Sequence, residues 1–341
     1  GTTTGTGVYI EGTGNSFDGT GGTIKSDAIG IYLKDTTAGT VTNTGTLEIA
    51  SGGVGVFGEN ANIDFNVNVT GIGAVGVTAS GDSVISGKVT TGDGSVGVYV
   101  LDSNVSFNGA VIETGEKVTG RTSVGILFDR LKMGAYSVDN VTVNAKNGVG
   151  IYLQGLSGTA LDFGGTIATA GAGAVGIYVD SGTMLTTDEA TFKISNGAVG
   201  VYVATAGTAN LGTTGDLVFN FGDGGGTGVY NNGGTLNLGN NISTTGSGSL
   251  TAKMNGDLTS SGNLNIGERG TALLGSYDNK AGNKSITNES TGNIIAESGG
   301  IGIAAIKKVG SSPLADITIN NAGTITVSGK SSGGDSSIGI Y

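Results

Sequence analysis

Short runs in which apolar residues alternate with small or polar ones cover most of the chain, and one five-residue pattern keeps returning. It is a small residue, Val or Ile, Gly, Val or Ile, and an aromatic: Ala28-Ile29-Gly30-Ile31-Tyr32, Gly53-Val54-Gly55-Val56-Phe57, Ser95-Val96-Gly97-Val98-Tyr99, Gly148-Val149-Gly150-Ile151-Tyr152, Ala174-Val175-Gly176-Ile177-Tyr178 and Ala198-Val199-Gly200-Val201-Tyr202. Weaker copies surround Gly7, Gly76, Gly125, Gly228, Gly302 and Gly339. From Gly7 to Gly228 nine steps of 21 to 28 residues span 221 residues, a mean near 25. Other alternating runs lie between the motifs, at 41–49, 63–69, 141–143, 217–221 and 317–319, separated by Gly, Asn, Asp and Ser. Alternation with period two indicates strands, and two or three such runs per repeat with turn residues between them describe one coil of a parallel β-solenoid. Helical periodicity is absent. The expected fold is therefore all-β: a right-handed parallel β-helix of about 25 residues per coil. It is expected as one continuous segment over 1–341, an elongated rod with irregular coils near 113–136 and 277–335.

A single coil cannot stand alone. Between Gly30 and Val54 six apolar side chains are expected to point inward (Ile31, Leu33, Val41, Leu47, Ile49 and Val54), each worth roughly 2 kcal/mol on burial. Ordering roughly 25 residues costs about 1–2 kcal/mol per residue in backbone entropy, so the deficit has to be met by stacking coil on coil.

Composition narrows the function. Of 341 residues 69 are Gly and one is Pro, and there is no Cys, His or Trp. Without imidazole or thiolate there is no Ser-His-Asp triad, no thiol nucleophile and no ordinary zinc site. Twenty-seven acids against 16 bases give a net charge of −11, which repels nucleic acid. The lack of Cys leaves the compartment open, because a protein secreted unfolded through a narrow pore also gains by having no disulfide to form early. No signal peptide opens the chain and no apolar run approaches the roughly 20 residues of a membrane span. The chain starts at Gly1 and stops inside a motif copy at Tyr341, so it is expected to be a fragment of a longer protein.

Catalysis has little to work with. A polysaccharide-cleaving β-helix needs clustered carboxylates, and the nearest pairs, Asp188-Glu189 and Glu113 with Glu116, do not share a strand face in any simple way. Neither the EF-hand loop nor the nonapeptide calcium repeat is present, so no metal and no cofactor is expected.

Binding is the better prospect. Alternation places Ile29, Ile31 and Leu33 on the core face and Gly30 and Tyr32 on the opposite one, where the aromatic recurs as Tyr9, Tyr32, Phe57, Tyr99, Tyr152, Tyr178, Tyr202, Tyr230 and Tyr341. The rings form either a stacking ladder that shields the glycine backbone or an exposed binding strip. Shortly beyond the aromatic an acid recurs (Glu11, Asp35, Glu59, Asp82, Asp102, Asp129, Asp180). These are either turn formers or a column of like charge that cations or a basic partner would relieve. Tyr32, Tyr99, Tyr178 and Asp102 are the candidates on this face. A second candidate contact is the irregular segment 116–136, where Arg121, Arg130 and Lys132 concentrate positive charge that is rare elsewhere in the chain. Lys307-Lys308 and the only proline mark the other irregular region.

The Gly-Val/Ile-Tyr repeats, interleaved with Asn43-Thr44-Gly45-Thr46-Leu47 and Asn321-Ala322-Gly323-Thr324-Ile325, resemble the passenger domains of type V autotransporter adhesins, especially the fusobacterial-type outer-membrane adhesins. The resemblance covers most of the chain. It implies a right-handed parallel β-helix displayed outside the cell on a Gram-negative outer membrane, a virulence-associated surface protein that attaches to a host-cell protein or glycan or to other bacteria. A structural stalk that carries a distal binding tip is the alternative. It assigns no binding residue to any position here.

Overall fold

The computed structural model describes residues 5–341 apart from 102–103, 132–134, 156–157, 187, 240, 247, 253–257, 278–283, 308–316 and 330–333. No helix occurs among the described residues, and the strands pair in parallel as a β-solenoid of about 25 residues per coil. Two compact units divide the chain: Gly1–Leu161 with Gly165–Ala168, and Asp162–Gly164 with Thr169–Tyr341.

Each coil carries up to three strands, and equivalent strands of successive coils form rows. In the N-terminal unit the motif row runs Thr6–Glu11, Ile29–Lys34, Val54–Glu59, Val75–Ser80, Val96–Val100, Val124–Leu131 and Val149–Gly155. A return row closes each coil through Thr23–Ser26, Thr46–Ile49, Val67–Val69, Lys88–Thr91 and Val111–Thr114. Between them lies a middle row of two-residue strands, Asn62–Ile63, Val84–Ile85 and Ser106–Phe107. The C-terminal unit repeats the plan with longer strands. Its motif row runs Val175–Leu185, Ala198–Leu211, Gly226–Asn231, Ser249–Ala252, Thr271–Tyr277, Ile301–Lys307 and Ile338–Ile340. Its middle row continues from the ends of the first two of these into Thr235–Leu238, Leu258–Ser260, Lys284–Asn288 and Ile317–Asn321.

The inward side chains are the expected aliphatics. Ile31, Leu33, Val41, Leu47 and Ile49 are all buried in one coil, and Val56, Ile63, Val67 and Val69 in the next. In the C-terminal unit the return row supplies rings instead, with Phe192 and Phe219 in register, fully buried and stacked 5.1 Å apart. Phe128, which follows the irregular Leu127, points inward and meets the buried ring of Tyr136 edge-on.

One expectation is corrected at the motif glycine. Ile29 and Val54 are half-exposed, while Gly30 and Ile31 are buried one after the other. Strict alternation therefore breaks at the glycine, and the residue before it turns outward with the aromatic. The reason is close approach. A Cβ on Gly30 would lie 2.7 Å from the Gly55 carbonyl oxygen and 3.1 Å from Ile49 Cδ1, and one on Gly76 would lie 2.6 Å from the Gly97 carbonyl and 2.7 Å from Val89 Cγ1. Each glycine is thus hemmed in by the next coil's backbone and by a return-row side chain that fills the space a Cβ would need.

Two motif strands have no motif sequence. Register places Leu250 and Ala272 at the glycine position, both fully buried. The return row is correspondingly smaller there, with Thr244 standing in register with Phe219.

Candidate binding surface

The aromatic row carries a stack of rings in each unit. In the N-terminal unit Tyr9, Tyr32 and Phe57 stack at 5.3 and 5.0 Å. Thr78 then takes the aromatic position between Phe57 and Tyr99, and Leu127 takes it between Tyr99 and Tyr152. In the C-terminal unit Tyr178, Tyr202 and Tyr230 stack at 4.7 and 5.1 Å with their planes within 9° of parallel. Inside these stacks ring faces are occupied by neighbouring rings, so what the half-exposed tyrosines turn to solvent is chiefly ring edge and hydroxyl. Burial pushes the phenols of Tyr178 and Tyr202 up.

The acids beside the first stack do not form a column of like charge. Register brings Glu11, Lys34 and Glu59 side by side, and Lys34 Nζ lies 3.4 Å from Glu11 Oε1. The Tyr9 hydroxyl donates to Glu11 Oε2 at 2.7 Å, and the Tyr32 hydroxyl donates to Glu59 Oε2 at 2.5 Å. The consequences follow from these pairs: the bond from Tyr9, then Lys34, holds the Glu11 carboxyl below its ordinary value, and Glu11 raises Lys34. Its bond to Glu59, reinforced by burial, pushes the Tyr32 phenol up to about 12.

At the corner that follows the motif strand a second polar ladder runs from coil to coil. Asp35 and Asn60 hold left-handed backbone, with φ of 51° and 49°, as short polar residues at tight turns do. Asn60 Nδ2 donates to Asp35 Oδ1 (2.9 Å), the Asp82 amide donates to Asn60 Oδ1 (3.0 Å), and Asn104 Nδ2 donates to Asp82 Oδ1 (2.8 Å). Carboxamides interposed between these acids separate their like charges. The sequence reading missed Lys34, Asn60 and Asn104 as the partners, since the coil-to-coil register that aligns them is not written in any one repeat.

Of the cationic candidates, Arg121 is described in full. The excursion 115–123 folds back through an antiparallel bridge between Val118 and Arg121, and Gly120 turns it with a φ of 78°. Arg121 then lies along the corner, its Nη1 3.4 Å from the Gly73 carbonyl, two coils back, and its aliphatic stem against Gly94. Arg121 is exposed. Arg130 lies within the strand Val124–Leu131, and its side chain is outside the described part of the structure. Asp102 and Lys132 lie outside the described residues. Within the N-terminal unit Tyr32 and Tyr99 sit in the aromatic row and Arg121 at a different corner, and Tyr178 sits in the aromatic row of the C-terminal unit.

Of the carboxylates considered for catalysis, that of Glu113 is engaged in an ion pair with Lys88 at 2.7 Å. The Glu116 amide donates to Asp93 Oδ1 at 2.8 Å. Among the described residues no group of three or more acids, His or Cys could hold a metal ion, and no helix is long and apolar enough to cross a membrane. No known protein family and no curated protein matches the sequence.

Proposed function

We propose that the chain is a non-catalytic segment of a bacterial cell-surface adhesin, exported to the outer face of the cell, whose coils attach it to a host-cell protein or glycan or to another bacterium. The observation that carries this reading is how the repeated residues are used. The motif glycines and the inward Val, Ile and Leu are consumed in stacking coil on coil, so the recurrent part of the sequence is scaffold and the variable part is outer surface. That division of labour suits a protein that presents contacts rather than one that encloses a substrate. It is also the arrangement implied by the resemblance to autotransporter passengers.

The stalk reading draws on one observation of its own. The stacked rings and the Asp35–Asn60 and Asp82–Asn104 pairs all spend their polar and aromatic groups on neighbouring coils, which is how a spacer would use them. Display of the whole chain on a non-adherent bacterium distinguishes the two. Adherence to host cells that is lost when Arg121, Arg130 and Lys132 are reversed to Glu supports a contact role. No adherence at all, with the chain folded and displayed, rejects the adhesin reading in favour of the stalk.

A further inference from the structure

We propose that the outward face of the middle row in the C-terminal unit binds a neutral, hydroxyl-rich polysaccharide. The proposal rests on the adhesin reading and names its ligand class. In this row Met184, Ala209, Leu211, Leu236, Leu238, Leu258 and Ile286 point inward and are buried, so the residues between them form a solvent-facing surface. One column of that surface is Asn210, Asn237, Thr259, Thr287 and Asn320, in register over successive coils. Beside it stand Thr183, Thr208 and Thr235, and further along Ser285 and Thr318. Every one of these side chains ends in a hydroxyl or a carboxamide. Asp257, which precedes Leu258 in the sequence, lies outside the described residues.

The chemistry of the face selects its ligand. Nucleic acid needs Lys and Arg, which these two columns lack. A protein partner draws its affinity from several aromatic or aliphatic anchors in a desolvated patch, and among their described residues these columns offer a single half-exposed one, Leu185, in register with Asn210 at the end of the first column. Hydroxyls and carboxamides both donate and accept hydrogen bonds, as sugar hydroxyls do. The groups also repeat, at about 4.8 Å from coil to coil and about 6.7 Å along each strand. Only a ligand whose own polar groups repeat can engage many of them at once. The grid is pre-ordered as well: Asn237 Nδ2 donates to Asn210 Oδ1 at 2.7 Å, which fixes both carboxamides and leaves the second Asn237 N–H for a ligand. The tyrosines are not the sugar platform, because Tyr202 is sandwiched between the rings of Tyr178 and Tyr230.

The test is isothermal titration calorimetry of the whole chain with neutral hexasaccharides of glucose and of N-acetylglucosamine, with a sulfated oligosaccharide as comparator. At least one neutral hexasaccharide is expected to bind, with an affinity unchanged between about 0.05 and 0.5 M salt, and the Asn237→Leu/Thr259→Val pair is expected to weaken it at least about fivefold. Should that pair fail to fold, Thr208→Val with Thr235→Val addresses the adjoining column. The proposal is overturned by the absence of binding to either neutral sugar, by tighter binding of the sulfated one, by loss of affinity with salt, or by a folded variant that binds as the parent does. The two readings fail separately. Cell adherence that neither neutral hexasaccharide inhibits removes the polysaccharide and spares the adhesin, whereas sugar binding without adherence to any cell removes the adhesin and spares the sugar site.

Discussion

Replacing Gly200 by Ala isolates the reason for the glycine in the motif. The added Cβ would lie 2.6 Å from the Gly228 carbonyl oxygen, 2.8 Å from Ile194 Cδ1 and 2.9 Å from Phe219 Cε1. The first neighbour is backbone of the next coil and the last is a fully buried ring stacked on Phe192, so neither can give way without disturbing a coil. Overpacking of this kind costs about 1–3 kcal/mol, and the backbone entropy that Ala removes from the unfolded chain returns only about 0.4–1 kcal/mol. A net loss of about 1–2 kcal/mol is expected. Gly222 in the same unit provides the control, since a Cβ there meets nothing closer than Ser195 Cβ at 3.4 Å and its φ is not left-handed. Gly222→Ala is expected to be neutral or to stabilise slightly. Because stacked coils need not unfold as one unit, the assay is native-state hydrogen exchange read on peptides covering Ala198–Leu211. Opening free energies for Gly200→Ala within about 0.5 kcal/mol of the parent, or equal losses for both variants, would refute the close-approach account.

Three further outcomes follow from the outer surface. Tyr32 should titrate well above an ordinary tyrosine in an absorbance titration, and Tyr32→Phe should remove that component. Because its folded-state value is raised to about 12, the contribution of the Tyr32–Glu59 bond is present in full below the unfolded value near 10 and is lost as pH climbs from there to the folded one; a lone ordinary tyrosine transition would contradict it. Lys34→Glu sets three acids side by side in register, and urea unfolding at low ionic strength should show a slightly lower midpoint than the parent, a difference that disappears in high salt because the pair with Glu11 is largely solvent-exposed. Arg121→Ala should speed hydrogen exchange at Gly73 and Gly94 while changing overall stability by less than about 1 kcal/mol; unchanged exchange at both glycines would show that Arg121 does not brace that corner.

The coil was legible because period-two runs, turn residues and a fixed spacing all point the same way, and Ile31, Leu33, Val41, Leu47 and Ile49 take the inward positions expected of them. Ile29 and Val54 did not, because alternation assumes an unbroken pleat and the strand departs from it at the glycine. The strands Ser249–Ala252 and Thr271–Tyr277 escaped notice because Leu250 and Ala272 replace the glycine by which the motif is recognised. Partners across coils were harder still. Glu11, Lys34 and Glu59 are 23 and 25 residues apart, and with repeats of varying length no constant offset identifies Lys34 as the residue that interrupts the acids. The Asn and Thr columns of the middle row stayed hidden for the same reason, since each repeat shows only one or two of their members.

The central claim is that the repeats are stacked parallel and in register, with the repeated residues as scaffold and the rest as surface. The chain has no cysteine of its own, so cysteine pairs introduced across coils test this directly. Lys25 and Glu48 are register partners on adjacent return strands, whereas Thr46 is displaced two residues from that pairing. Register partners on neighbouring strands lie within the roughly 4.4–6.8 Å Cα separation that a disulfide tolerates, and a two-residue displacement does not. Under mild oxidation the Lys25→Cys/Glu48→Cys chain is expected to close its disulfide and the Lys25→Cys/Thr46→Cys chain to stay reduced; closure of both at similar rates, or of the second alone, would contradict the stacked register.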